Sequence, residues 1–123
     1  CDKMPSMELG VSVNPTSAEA VRETASAVED AGLDILAFPD SQAIDREVFT
    51  SLAVAAEHSA SIRLAVLATN PVTRHIAVTA SAIGTVDDVS DGRATLCMAI
   101  GDSAVRNTEL TPASLKTLKE SVE

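Results

Sequence analysis

The sequence predicts an α/β chain, a parallel sheet assembled from four consecutive strand-then-helix units, (βα)4. Three observations carry this reading. Four short apolar runs recur along the chain, the stretches between them repeat apolar residues at helical spacing, and most changes from one pattern to the other fall at Pro, Gly, Asn or Asp. Because the units follow each other at about 30 residues, each strand returns to the sheet through a crossover helix, and neighbouring strands are then parallel.

The first strand spans Met7 to Val13, short and partly alternating, and stops at the turn signal Asn14-Pro15. Thr16 followed by Glu19 fits a capping box, and Ala18, Val21, Ala25 and Val28 then share one helical face up to Gly32. Ile35 to Phe38 is the second strand, uniformly apolar as in a strand covered on both faces, with Pro39-Asp40 directly behind it. Asp45 is the expected cap of the second helix, whose apolar positions Val48, Leu52 and Ala55 or Ala56 run out near His58-Ser59. Ile62 to Ala68 is the clearest strand and leads into the polar stretch from Thr69 to His75. Ile76, Ala80, Ile83 and Val86 give the third helix, closed by Asp91-Gly92. Ala94 to Ile100 is the fourth strand, broken at Gly101-Asp102-Ser103, and Thr111-Pro112 starts a last helix carrying Leu115, Leu118 and Val122 on one face.

Composition bounds the rest. A chain of 123 residues fits one domain, residues 1–123, and falls short of the roughly 250 typical of a closed eight-unit barrel. With 46% hydrophobic and 22% charged residues it has the make-up of a folded domain rather than a disordered one. A net charge of −9 repels phosphate backbones and anionic lipid, so neither nucleic acid nor membrane is an expected partner. No apolar run is long enough to span a bilayer, and the opening residues Cys1 to Pro5 lack the regions of a signal peptide, so the expected location is cytoplasmic. Cys1, in a frayed terminus, and Cys97, in an apolar run expected to be buried, offer neither a disulfide nor a metal-binding spacing. Four such units fit a small doubly wound sheet or half of a barrel, and periodicity does not separate the two.

In parallel α/β folds ligands sit at the carboxyl ends of strands, where loops converge and helix N-termini point N–H groups at the site. Every polar cluster here falls at that face: Asn14 after the first strand, Asp40-Ser41-Gln42 after the second, Thr69 to His75 after the third, Asp102-Ser103 after the fourth. Helix capping alone accounts for several of them. The third cluster is the richest, with Arg74 suited to an anion and His75 to proton donation near neutral pH. Asp40 and Asp102 form a candidate acid/base pair, and His58, on the far side of the layer, reads as structural.

The residues also resemble a known family. Glu29-Asp30-Ala31-Gly32-Leu33-Asp34 before the second strand, Pro39-Asp40-Ser41-Gln42 after it, and Ile62-Arg63-Leu64 followed by Thr69-Asn70-Pro71-Val72-Thr73-Arg74-His75 are similar to the matching stretches of luciferase-like oxidoreductases. Ala77 to Ile83, Asp91-Gly92-Arg93-Ala94 and Gly101-Asp102-Ser103-Ala104-Val105-Arg106 continue the likeness through the fourth unit. The resemblance leans to the branch that uses the deazaflavin coenzyme F-420.

The resemblance implies that the four units are the N-terminal half of a TIM barrel. It further implies FMN or coenzyme F-420 as cofactor, its ring across the carboxyl ends of the strands, with hydride exchanged between ring and small-molecule substrate. A bulge ending the third strand, often with a non-prolyl cis peptide, backs the ring in this family, and the matching residues are Ala68, Thr69 and Asn70. Asp40, Ser41 and Arg74 join them as cofactor-side candidates, with Asp102 as proton donor or substrate contact and His75 beside it. Many relatives carry a His where this chain has Ser41, and the cofactor phosphate is held by loops of later strands. Three functional readings follow: a portion of an active oxidoreductase, a half barrel that self-associates as a structural or cofactor-binding protein, and a flavodoxin-like binding domain with a changed strand order.

Overall fold

The structure is a computed structural model describing residues 6–123, so the expectation for Cys1 lies outside the described residues. The apolar runs become strands β1 (Gly10–Ser12), β2 (Ile35–Phe38), β3 (Arg63–Thr69) and β4 (Ala94–Met98). Between and after them stand helices α1 (Ala18–Asp30), α2 (Val48–Glu57), α3 (Ile76–Ser90), α4 (Ser103–Asn107) and α5 (Leu115–Val122). All strand pairs are parallel and the order is β1-β2-β3-β4. A flavodoxin-like sheet reverses its winding and so changes strand order. The sequential order removes that alternative and is the arrangement of half of a TIM barrel.

Register separates two faces. Val11, Leu36, Leu64 and Ala94 lie side by side, as do Phe38, Val66 and Leu96, and both rows pack against helix residues such as Val21, Ala25, Leu52 and Ala55. Burying each Leu or Phe there stabilises the fold by roughly 1.5–3 kcal/mol. The alternate row, Ser12, Ala37, Ala65 and Thr95, points to the opposite face, the interior side of a barrel. Cys97 follows Thr95 at the same parity and is half-buried, not buried as its apolar neighbours suggested, because it lies on the edge strand β4, all of whose residues are half-buried.

Three helices start later than their sequence signals. The Ser17 hydroxyl, not Thr16, caps α1, accepting from Ala20 N at 3.1 Å. Glu47, not Asp45, caps α2 through Thr50 N at 2.7 Å, because Asp45 N and Ile44 N are turned back to the Ser41 carbonyl and Arg46 N to that of Pro15. Asp45 accepts instead from Asn14 Nδ2, at 2.9 and 3.1 Å, tying the first two loops together. Ser114 caps α5 rather than Thr111, since Ala113 N is held by the Ile100 carbonyl at 2.8 Å and keeps the preceding chain extended along the β4 loop. The short α4 is not among the helices expected from the sequence; its own Ala104 and Val105 are buried. His58 ends α2, its Nδ1 2.9 Å from the Val54 carbonyl, a structural place as expected. No helix among the described residues is long and apolar enough to cross a membrane.

Candidate functional site

The carboxyl ends of β2, β3 and β4 open onto a cleft of about 270 Å³. Its wall is set by the last turn of β3. Up to Val66 that strand keeps regular register with β4; between Val66 and Thr69 the register shifts, and the Leu67–Ala68 peptide is cis. The resemblance matches this feature to Ala68, Thr69 and Asn70; the cis bond joins Ala68 to Leu67, one residue earlier. Leu67 is 51% exposed on the cleft, with Ala68 beside it and Ile100 lining it from the loop after β4. Gly101, at φ +85°, lets that loop lie against Asn70: a Cβ there would meet Asn70 Cβ at 3.1 Å and collide with Val105.

Asp40 follows β2 with its side chain 3% exposed. Thr69 Oγ1 donates to Oδ2 at 2.6 Å, Gln42 Nε2 to Oδ1 at 2.7 Å, and the Arg74 guanidinium spans both oxygens, from Nη1 to Oδ2 and from Nη2 to Oδ1 at 3.1 Å. Arg74 Nη2 also reaches Glu47 Oε1 at 2.7 Å, and its guanidinium lies 5.0 Å over the Phe49 ring. Burial opposes the charge of this guanidinium, but hydrogen bonding and attraction from Asp40, with Glu47 behind, outweigh it and hold Arg74 above its ordinary pKa. The anion that Arg74 selects is therefore intramolecular.

Asn70 is buried and its Oδ1 accepts from Val72 N and Thr73 N, both at 2.9 Å, closing a turn at the cleft floor. Ser41 lines the cleft half-buried. Asp102 lies at the opposite rim with its side chain 83% exposed, Oδ1 accepting from Arg106 Nε at 2.6 Å. Asp40 and Asp102 thus share one cleft in different settings, one enclosed and one in solvent. His75 is exposed on the helix side, capping α3 with Nδ1 accepting from Ala77 N at 3.2 Å, and is not among the cleft-lining residues. Of the residues singled out in sequence, Asp40, Ser41, Ala68, Thr69, Asn70 and Asp102 meet at the cleft; Arg74 stands behind Asp40 and His75 stands apart.

Leu67, Ile100 and Glu47 were missed. Leu67 and Ile100 sit inside apolar runs where only a break in register reveals which residue turns outward. Glu47 could have been found as an acidic residue directly before a helical apolar pattern.

Residues 5–123 match the family model described as luciferase-like monooxygenase. The 5,10-methylenetetrahydromethanopterin reductase of Methanolobus tindarius is 43% identical over 60 residues, which cover 49% of this chain and 18% of that protein. The enzyme of the same name from Archaeoglobus fulgidus is 36% identical over 97 residues, 77% of this chain and 29% of that one. Among solved structures, the coenzyme F-420 dependent tetrahydromethanopterin reductase of Methanopyrus kandleri superposes with a TM-score of 0.81 at 29% identity, covering 86% of this chain and 31% of that one. The oxygenating constituent of 3,6-diketocamphane monooxygenase from Pseudomonas putida, solved with FMN, shares the fold at a TM-score of 0.78 and 20% identity, over 95% of this chain and 38% of that one. The chain spans less than a third of the length of the curated relatives it matches. A family match across nearly all its residues, on a parallel sheet in sequential order, places the chain in the luciferase-like monooxygenase family.

Proposed function

We propose that this chain forms the ring-side half of a flavin or deazaflavin site in an oxidoreductase, taking FMN or coenzyme F-420 and a small-molecule substrate. One observation carries the reading. The cleft joins an apolar wall, Leu67, Ala68 and Ile100, to a polar rim, Ser41 and Asp102, which suits one face of a flat heteroaromatic ring and its edge heteroatoms. A ring held there would supply hydride chemistry, while the protein would supply position and electrostatics. Leu67 and Ala68 would shield one face of such a ring from water, Ser41 would offer its hydroxyl to the ring edge, and solvent-facing Asp102 would stand on the substrate side as the proton-transferring group. Thr69 and Asn70 hold the floor, with Asp40 and Arg74 behind them. The relatives' reductase names and the family's luciferase-like monooxygenase description support this class of chemistry, and the cytoplasm is the location that fits it.

Fluorescence titration of the chain with FMN and with coenzyme F-420 tests the assignment. Leu67→Asp and Ser41→Ala should each weaken binding, by about tenfold or more for the charged wall, since an unpaired carboxylate against an apolar ring is costly. Equal affinity in both variants would remove the cleft from the site.

A second reading, a half barrel that self-associates, is favoured by a different observation. β1 and β4 are both open edges of the sheet among the described residues, and the inward row of small side chains is exposed at its ends, Ser12 fully and Thr95 partly. Two copies joined edge to edge would close eight strands.

A further inference from the structure

The carboxylate of Asp40 sits at the cleft, yet its hydrogen-bonding capacity is already filled. A carboxylate offers about four acceptor positions. Here four protein donors occupy them: Thr69 Oγ1 and Arg74 Nη1 on Oδ2, Gln42 Nε2 and Arg74 Nη2 on Oδ1. A ligand could take an acceptor position only by displacing one of these donors from a nearly water-free setting. The same donors join separate loops, with Gln42 following β2, Thr69 ending β3, and Arg74 preceding α3. Glu47 holds the outer side of Arg74 from the start of α2. The chain of contacts continues inward, because the Thr69 carbonyl accepts from Ala99 N at 2.8 Å and so sets the end of β4.

We propose that Asp40, backed by Arg74 and Glu47, is a positioning residue rather than a ligand contact. It fixes the end of β3 against the loop after β2 and thereby sets the wall formed by Leu67 and Ala68. The part of this inference that concerns a bound ring rests on the functional reading above; the part that concerns the wall does not. Glu47 is central to it, since it is absent from the cleft lining and its ion pair with Arg74 links it to Asp40.

The experiment combines amide hydrogen exchange with FMN titration on the full chain. In Glu47→Gln and in Thr69→Val, the amides of Val72, Thr73 and Ala99 should exchange about tenfold faster, while those of Arg63 and Leu64 at the other end of β3 keep their rates. Thr69→Ser, which retains the hydroxyl, should restore the slow exchange, and the FMN dissociation constant should rise in the same two variants that loosen the loops. The proposal is overturned if Asp40→Asn weakens FMN binding while loop exchange stays at the wild-type rate in that variant and in Glu47→Gln. It is equally overturned if exchange accelerates uniformly along β3, the signature of a general loss of stability. A wild-type chain that binds no FMN would sink the functional reading, and the exchange measurements would still decide whether Asp40 positions the wall.

Discussion

Arg93 shows how one side chain can carry several elements. It enters β4 half-buried and donates to the Ala56, Ser59, Ile62 and Ser90 carbonyls and to the Ser59 hydroxyl, at distances of 2.7 to 3.2 Å. These acceptors belong to the end of α2, the loop into β3 and the end of α3, so the guanidinium stitches together the amino-terminal side of the sheet. Removing it leaves several carbonyls without donors, and Arg93→Met should lower unfolding free energy by about 2–4 kcal/mol. Urea unfolding reads this directly; a loss below about 1 kcal/mol, the worth of one ordinary hydrogen bond, would show that water replaces the donors. In sequence Arg93 was visible only as part of a familiar stretch, because its acceptors lie up to 37 positions away. Asp40 has the same history. Its place at a strand end was readable from Pro39-Asp40, whereas its partners Thr69 and Arg74, 29 and 34 positions on, appear only when β2 and β3 pair.

Elements were legible where local chemistry decides them. The apolar run Ile35 to Phe38 is β2 as observed, and the Asp91-Gly92 stop follows directly on the end of α3, with Asp91 in the left-handed region. Helix starts were less legible, because capping competes with loop contacts made elsewhere, as Asp45 shows by bonding Asn14 instead. A contact of this kind also joins helix to the loop before β3 at Glu29, near the end of α1, whose carboxylate accepts from Ser61 Oγ at 2.5 Å and from Ala60 N and Ser61 N at 2.6 Å. The Ser61 hydroxyl first, and the Ala60 amide next, hold the Glu29 carboxyl below its ordinary pKa. A folded pKa lower than the unfolded one means that the contribution is complete above the unfolded value. It is then lost as pH falls through the folded one. The stability difference between the wild-type chain and Glu29→Gln should therefore be largest near neutrality and shrink on acidification below the ordinary glutamate range. Denaturant midpoints of both proteins from pH 7 to about pH 3 check it. A difference independent of pH would mean that the neutral acid holds the loop as well as the ion does.

At the scale of the whole molecule, the spacing of units made a parallel α/β sheet legible, but not its winding, since a doubly wound sheet and half a barrel share the same periodicities. Strand order decides it, and that order is a property of how the helices pack, all on one face of the sheet. The consequence is an inward face without helices. Its middle row, Ser12, Ala37, Ala65 and Thr95, is made of small side chains, and Arg63 in the row below pairs with the exposed carboxylate of Glu8. Interiors of closed eight-stranded barrels are filled by layers of large side chains contributed by alternate strands. Small residues on this half would therefore leave room for bulkier groups from whatever faces them. If a second copy does so, the wild-type chain should sediment with a mass that rises with concentration, because open strand edges pair readily. Thr95→Lys places an ammonium group in the inward layer while leaving the helix-side core, to which Thr95 does not belong, intact. That variant should sediment as a monomer at every concentration and unfold at the same temperature as dilute wild-type protein. A wild-type mass that stays monomeric across the whole range would sink the self-association reading, and would leave the inward face to be covered by other means.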